Sequence, residues 1–234
     1  MKPPYIITPS ILKLITEVSQ KIGEIKSTFL TKQLPELRKK NRIKTIQASL
    51  AIEGNTLSID QVTAIIENKR VIGASKDIKE VSNAIQVYDQ LGSLNPFNEK
   101  SFLKSHQILM SELIKDAGKY RKSGVGIMKG SQITHVAPPA NNVAFLMKAL
   151  FNYLKKTKEL ILIKSCVFHY EVEFIHPFAD GNGRMGRLWQ TLLLMQQYPV
   201  FEFLPFETLI SKNQKKYYQA LSKSDKQGES TCFI

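Results

Sequence analysis

Apolar residues recur every three or four positions along most of this chain, a spacing that is typical of helices with one buried face. The first such segment follows Ser10, a residue type that often caps helices, and the spacing lasts for about five turns. Its apolar face comprises Ile11, Leu14, Ile15, Val18, Ile22, Ile25 and Phe29. The pattern therefore predicts a long amphipathic first helix.

Local signals mark the next two helices. Pro35 suits the first turn of a second helix, which is predicted to end at residues 53–55 because glycine commonly follows a helix. Ser58 and Gln61 have the spacing of a capping box, so a third helix is predicted to begin there.

Four further helices are predicted at about residues 77–91, 98–113, 142–156 and 160–175, and the last of these has apolar residues on most sides. Helical spacing resumes after residue 187. Between residues 125 and 136 the pattern changes to alternation around a Gly-Ser turn, which predicts a short β-hairpin. The fold class expected is all-α, a helical bundle with one short hairpin.

Composition narrows the class of protein. A chain of 234 residues, 43% of them hydrophobic, can bury a core without disulfides. Its 12 glycines and 10 prolines are too few for a fibrous or low-complexity chain, and two cysteines cannot build a disulfide framework or a cysteine-rich zinc site. No apolar run is long enough to cross a membrane or to serve as a signal peptide. We therefore expect a cytoplasmic protein without a membrane partner.

Charge adds an expectation about partners. The chain has 33 basic and 20 acidic residues, a formal net charge of +13. Such a balance favours association with nucleotides, nucleic acid or acidic protein surfaces, and it does not choose among them.

The most informative polar segment is the loop of residues 176–187, between two predicted helices. Gly181 and Gly183 leave the main chain open where the second helix begins, and free N–H groups at a helix start favour an anion. Arg184 and Arg187 are three positions apart, so both guanidinium groups can grip one phosphate chain. Because cations at a helix start oppose its dipole, this placement favours an anionic ligand.

Two other residues of the loop suit phosphate chemistry. Asp180 offers a carboxylate beside the phosphate cradle, and Mg²⁺ is commonly held by one carboxylate together with phosphate oxygens and water. The imidazole of His176 can accept a proton from an attacking hydroxyl near neutral pH. Taken singly, each of these residues also has a plain structural explanation as a turn or a helix cap.

The better-known phosphate motifs do not fit this loop. No Gly-Lys-Ser/Thr sequence closes a P-loop, and the segment follows a helix where a dinucleotide-binding fold has a strand. The stretch from His176 to Arg187 instead resembles the signature of the Fic family, His-x-Phe-x-Asp/Glu-Gly-Asn-Gly-Arg-x-x-Arg, with every defining position filled. Tyr120 and Arg121, followed by the predicted hairpin, are similar to the segment that this family uses as a substrate flap.

This resemblance implies a Fic-fold helical bundle that transfers AMP from ATP to a Tyr, Thr or Ser hydroxyl of a target protein. It implies His176 as the general base, Asp180 as the magnesium ligand and Phe178 as an apolar anchor of the loop. The anion hole and phosphate clamps would be Gly181, Asn182, Gly183, Arg184 and Arg187, and the flap residues that dock the target would be Val125, Ile127, Ile133 and His135. ATP is the implied substrate and Mg²⁺ the implied cofactor.

An upstream segment is similar to the inhibitory motif of the same family, Ser/Thr-x-x-x-Glu-Gly/Asn. Ser49, Glu53 and Gly54 fill its defining positions. The resemblance implies that Glu53 forms a salt bridge with Arg187 and so occupies the clamp meant for the γ-phosphate. Without the loop, the same residues would be read as an ordinary helix end.

The expected organisation is an N-terminal helical region, residues 1–95, that carries the inhibitory motif, and a catalytic core, residues 96–234, packed with it as one unit. An apolar run begins within residues 230–234, which leads us to expect a chain truncated at its C-terminus. Nucleic acid would then bind only through a missing C-terminal module. Three alternatives stay open: transfer of another phosphate-containing group, removal of AMP, and a basic nucleic-acid-binding regulator. A homo-oligomer, the target protein and the signal that relieves inhibition also stay open.

Overall fold

The computed structural model describes residues 2–29, 35–129 and 132–234. Its ten helices are α1 Pro9–Phe29, α2 Pro35–Ile52, α3 Ile59–Ile66, α4 Ser75–Asp89, α5 Glu99–Leu109, α6 Ala140–Lys156, α7 Ile161–Ile175, α8 Asn182–Met195, α9 Glu207–Lys212 and α10 Gln214–Gln227. Short 3₁₀ helices cover Leu91–Ser93 and Pro199–Phe203. The all-α class expected from the periodicity is confirmed.

Two strands, β1 Gly126–Lys129 and β2 Gln132–Val136, lie between α5 and α6 and pair in antiparallel fashion. Ile127 is opposite His135, and Met128 is opposite Ile133, with an irregularity in register between Ile127 and Met128. Residues 130–131 of the turn lie outside the described part of the chain.

The helix caps predicted from the sequence are correct at α3 and wrong at α1. At α3, the Ser58 hydroxyl accepts from the N–H of Gln61 at 3.2 Å, and the Gln61 side chain accepts from the N–H of Ser58 at 2.9 Å, which confirms the capping box. At α1, the prediction that Ser10 is the cap is wrong. Thr8 accepts there from the N–H of Ile11 at 3.2 Å, because Pro9, which has no N–H to satisfy, takes the first helical position.

Two elements depart from the apolar pattern. On α1, Ile11 and Ile22 are buried, but Leu14 is 52% and Val18 37% exposed, so the predicted apolar face is only partly covered. Helix α5 ends at Leu109 although apolar spacing continues to residue 113, because Glu112 adopts a left-handed backbone with φ of 60°.

The core lies around α7 and α8, which pack against each other and are joined by the loop of residues 176–181. One contiguous apolar cluster combines side chains of α2, α4 and α5 with those of α6, α7 and α8. At its centre, Phe102 contacts Trp189, Phe168 and Phe178, with ring centroids 5.0–5.9 Å apart. This aromatic cluster fixes the two helices that present the loop.

None of the helices in the described ranges combines the length and the apolar character that a membrane span requires.

Candidate active site

The loop between α7 and α8 has two residues with left-handed backbone, one at each end. His176 follows the last residue of α7 with φ of 51° and ψ of 60°, and its N–H donates to the carbonyl of Val172 at 2.9 Å. Gly181 precedes α8 with φ of 85°. His176 is half-buried, whereas the Asp180 side chain is 51% exposed. The chain therefore changes direction at both ends of the loop. We call the exposed side of the loop, which carries His176 and Asp180, the loop mouth.

Phe178 and Asn182 hold the loop from inside. The Phe178 side chain is fully buried in the aromatic cluster. Asn182 is 2% exposed; its side-chain oxygen accepts from the N–H of Phe178 at 2.9 Å, and its amide nitrogen donates to the carbonyl of the same residue at 3.0 Å. A contribution of Asn182 to a bound anion would therefore come from its main-chain N–H.

His106, on α5, packs against the loop and forms a hydrogen bond with it. It is fully buried and stacks on Phe178, with ring centroids 3.5 Å apart and an interplanar angle of 5°. The N–H of Gly118 donates to its Nδ1 at 2.8 Å, so Nε2 carries the proton and donates to the carbonyl of Asp180 at 2.9 Å. His106 is thus an interior residue that ties the loop to α5.

The burial of His106 has a consequence for acid stability. Burial, together with the nearby Arg184, lowers its pKa from 6.5 to about 4, although the bond to Asp180 opposes the change. The folded chain therefore keeps His106 neutral, while the unfolded chain binds a proton below pH 6.5. The stability that His106 contributes is complete above that pH and is lost as the pH falls toward 4.

We predict that His106→Phe lowers the free energy of unfolding at pH 7.5, and that its difference from the parent chain shrinks by about 2 kcal/mol at pH 5. Urea unfolding of both chains at the two pH values measures this change. Burial raises the pKa of Glu171 and Glu207 to about 7, but both carboxyls are present in both chains and cancel in the difference. A difference that stays constant between pH 7.5 and pH 5 would contradict the prediction.

Gly181 and Gly183 form a cradle at the first turn of α8. Gly181, the residue before α8, has no side chain that could cap the helix, and its own N–H donates to Oδ1 of Asp180 at 2.5 Å, so the N–H groups of the first turn are left to a ligand. A Cβ at Gly181 would lie 2.8 Å from the sulfur of Met110 and 3.4 Å from Nε2 of His106. A Cβ at Gly183 would lie 2.5 Å from Oε1 of Glu53. The carboxylate of Glu53 thus lies directly on the cradle.

Gly181→Ala combines a disfavoured backbone conformation with a steric clash, and we predict that it lowers the free energy of unfolding by about 2–4 kcal/mol. Gly228 is a matched control, because its φ is 67° but a Cβ there would meet nothing within 4 Å. Gly228→Ala should lower the stability by only about 1 kcal/mol. Equal losses in urea unfolding would show that the loop is not tightly packed at Gly181.

Each arginine of the loop is buried and paired with an acidic side chain. Arg184 is 4% exposed and contacts Glu80 of α4 at 3.0 Å and Asp180 at 3.1 Å. Glu80 also accepts from the side chain of Asn55, which directly follows the predicted inhibitory motif, at 2.9 Å. Glu80 is separated from Arg184 by 104 positions, and no motif in the sequence pointed to it.

Arg187 is 1% exposed and contacts two residues of the predicted inhibitory motif. Its guanidinium group donates to Oε1 of Glu53 at 2.7 Å, to the hydroxyl of Ser49 at 3.1 Å and to the Ser49 carbonyl at 2.9 Å. Burial alone would lower the pKa of Arg187, but the Glu53 carboxylate helps to raise it on balance. Gly54, with φ of 92°, turns the chain away after Glu53. The end of α2 therefore covers the start of α8.

The flap residues are described only in part. Val125 is half-buried just before β1. Ile127, Ile133 and His135 occupy the two strands, but their side chains lie outside the described part of the structure. Their proposed role in docking a target stays a prediction.

Two other features of the sequence, its single tryptophan and a run of basic residues, have structural explanations. The indole of Trp189 is fully buried and donates to the carbonyl of Pro96 at 2.9 Å. Within the basic run of residues 38–44, Lys39 pairs with Glu67 at 2.7 Å and Arg42 pairs with Asp89. Acidic partners therefore offset part of the positive charge on α2.

Comparison with known proteins shows which family has this arrangement. The Fic/DOC family model matches residues 96–194. A Fic family protein from Desulfovibrio desulfuricans G20, known from its crystal structure, is 49% identical with a TM-score of 0.94; the match covers 100% of this chain and 72% of that chain. This chain belongs to the Fic family.

Two curated relatives in the Fic family are named for an enzymatic activity. The protein adenylyltransferase Fic of Nematostella vectensis is 29% identical over 208 residues, which is 80% of this chain and 47% of that protein. The protein adenylyltransferase fic-1 of Caenorhabditis elegans is 30% identical over 186 residues, 74% of this chain and 34% of that protein. This Fic chain thus spans less than half the length of these curated relatives.

Proposed function

We propose that this Fic chain is a protein adenylyltransferase, which transfers AMP from ATP to a hydroxyl of a target protein or of itself, and that Glu53 inhibits it. The observation that carries the proposal is the position of Arg187. A buried cation at the start of α8, beside a glycine cradle, is held by a carboxylate from another helix. The activity named in the curated relatives supports the reaction.

In this proposal, His176 accepts the proton of the target hydroxyl. The freed oxygen forms a bond to the α-phosphorus of ATP, the bond from that phosphorus to the bridging oxygen breaks, and pyrophosphate leaves. His176 follows α7 with a left-handed backbone, and its side chain is half-buried in the loop. Catalysis would then depend mostly on the position of this imidazole relative to the cradle.

The start of α8 would bind the phosphate chain. The N–H groups of its first turn face the mouth, and the helix dipole adds a positive potential there. Arg187 would contact the terminal phosphate once the Glu53 carboxylate leaves it, and Arg184 would contact the phosphates from the same side. Both guanidinium groups are already fixed by the surrounding side chains, so little side-chain entropy would be lost on binding.

The donor set at the mouth fits Mg²⁺. Asp180 offers an oxygen ligand that is 51% exposed beside the cradle, and one or two carboxylates with substrate phosphates suffice for this ion. Within the described residues, no group of three or more His, Cys, Asp or Glu side chains could hold a metal by themselves. When bound with ATP, Mg²⁺ would neutralise charge on the leaving pyrophosphate. The Asp180 carboxylate would first have to turn from Arg184.

Intact mass spectrometry after incubation of the chain with ATP and magnesium chloride tests the reaction. We expect an adduct of one AMP, and an ATP label on the α-phosphate should be retained while one on the γ-phosphate is lost. An adduct that carries the γ-label or appears only with another nucleotide would indicate transfer of a different group. Loss of a preformed AMP adduct on incubation without ATP or pyrophosphate would indicate hydrolytic removal of AMP. No change under any of these conditions, with Glu53 also replaced, would refute the proposal.

A further inference from the structure

Arg121 connects the proposed catalytic loop to both stems of the hairpin. It lies between α5 and β1 and is 4% exposed. Its Nε donates to the carbonyl of His176 at 2.7 Å, and one terminal nitrogen donates to the carbonyl of Ser123 at 2.8 Å. The other terminal nitrogen donates to the carbonyls of Pro138 at 2.5 Å and Ile175 at 3.2 Å. Four carbonyls from three main-chain segments thus meet at one side chain.

The acceptors of Arg121 have a common character. Within the described residues all four are main-chain carbonyl oxygens, and two of them belong to the C-terminal end of α7. Carbonyls at a helix end lack intrahelical partners and carry partial negative charge. A buried guanidinium group there satisfies these carbonyls and cancels negative potential next to the loop that would receive phosphates.

The same contacts constrain His176. Its left-handed backbone is uncommon for a residue other than glycine, and it persists only where the surroundings hold it. Its main chain is held on one side by the bond from its N–H to Val172 and on the other by the bond from Arg121 to its carbonyl. The N–H of Arg121 also donates to the carbonyl of Pro177 at 2.9 Å. Arg121 therefore helps to hold the main chain that carries the imidazole.

We propose that Arg121 is a positioning residue, which sets the orientation of His176 and links it to the stems of the hairpin at Ser123 and Pro138. This inference rests on the proposed function of His176. It adds that a target protein seated on the hairpin would act on the loop through Arg121, because the stems and the loop share its planar group. Lysine cannot replace it, since a single ammonium group cannot reach four carbonyls arranged around a plane.

The test uses Arg121→Lys and Arg121→Met, each combined with Glu53→Gly. We expect the rate of AMP transfer at saturating ATP to fall at least tenfold in both variants, while the dissociation constant for ATP, measured by calorimetry, changes less than threefold. Arg42→Lys is the control, because Arg42 also donates to a main-chain carbonyl, that of Ile85, and lies outside the loop. It should leave both quantities within twofold.

A second measurement does not depend on activity. The imidazole NMR signals of the four histidines should show a shift for His176 in Arg121→Lys, with smaller changes for His106 and His169. If the Glu53→Gly parent transfers no AMP, the proposed function fails, and the NMR signal still tests whether Arg121 positions His176. If Arg121→Met does not fold, Arg121→Lys, which keeps the charge and most of the stem, carries the test.

Three results would overturn the inference. A transfer rate in Arg121→Lys within twofold of the parent would show that the four bonds do not matter. If the transfer rate falls in proportion to the fraction of chains that still bind ATP, Arg121 only maintains the fold. An unchanged His176 signal would show that its orientation is set elsewhere.

Discussion

Glu53→Gly should increase the rate of AMP transfer by roughly 5- to 150-fold, which is the range expected from a coupling of about 1–3 kcal/mol. The substitution removes the carboxylate that contacts Arg187 at 2.7 Å and lies on the Gly183 cradle. Because Glu53 follows the last residue of α2, glycine at this position costs little helix stability. Self-modification with α-labelled ATP, followed over time, measures the change.

A matched control is available at Glu67. Like Glu53, it directly follows a helix and forms ion pairs, but its partners are the surface residues Lys39 and Lys69. Glu67→Gly should leave the transfer rate unchanged. Glu53→Gln keeps the size and removes the charge, so a rate between those of the parent and Glu53→Gly would separate the effect of charge from that of bulk.

The same substitution should change the response of stability to ATP. Without Glu53, Arg187 keeps its bonds to Ser49 but loses the carboxylate that contacts it directly, and weaker pairing of a buried charge destabilises a fold. ATP would replace that counter-charge, so it should raise the melting temperature of Glu53→Gly more than that of the parent. If Glu53→Gly neither increases the transfer rate nor responds more strongly to ATP, Glu53 does not inhibit.

Features that depend on neighbouring residues could be read from the sequence. The periodicity located α1 to α8 but did not predict α9 or α10. The Ser58–Gln61 capping box was correct because both partners lie within one turn. The glycine-rich loop was recognisable because its residues are contiguous. Two errors, at Ser10 and at the end of α5, arose where a neighbouring residue changed the local backbone: Pro9 moved the helix start, and Glu112 turned the chain.

Features that depend on tertiary contacts could not be read in the same way. Glu80 contacts Arg184 across 104 positions, and Arg121 contacts His176 across 55. His106 falls among apolar positions of a helix, so the pattern gave no reason to expect a bond to Asp180. The contact between Glu53 and Arg187 was anticipated only through resemblance to a family motif, because periodicity carries no information about which helix faces which.

His176→Ala, made in the Glu53→Gly chain, should reduce the rate of AMP transfer by roughly 10²- to 10⁴-fold, the usual contribution of a general base. ATP binding should persist, because the main chain of residue 176, rather than its side chain, holds the loop through Val172 and Arg121. Calorimetry with ATP and time courses of labelling would show a large fall in rate beside a dissociation constant within threefold of the parent.

His176→Asn provides the control for the backbone, because asparagine accepts the left-handed conformation more readily than alanine and has no basic side chain. If the imidazole acts as the base, both variants lose the same activity although they differ in the strain at this position. If His176→Asn instead kept most of the activity of the Glu53→Gly parent, the function of His176 would be to shape the loop, and another group would have to accept the proton. The comparison of the two variants thus separates a chemical function of His176 from a conformational one.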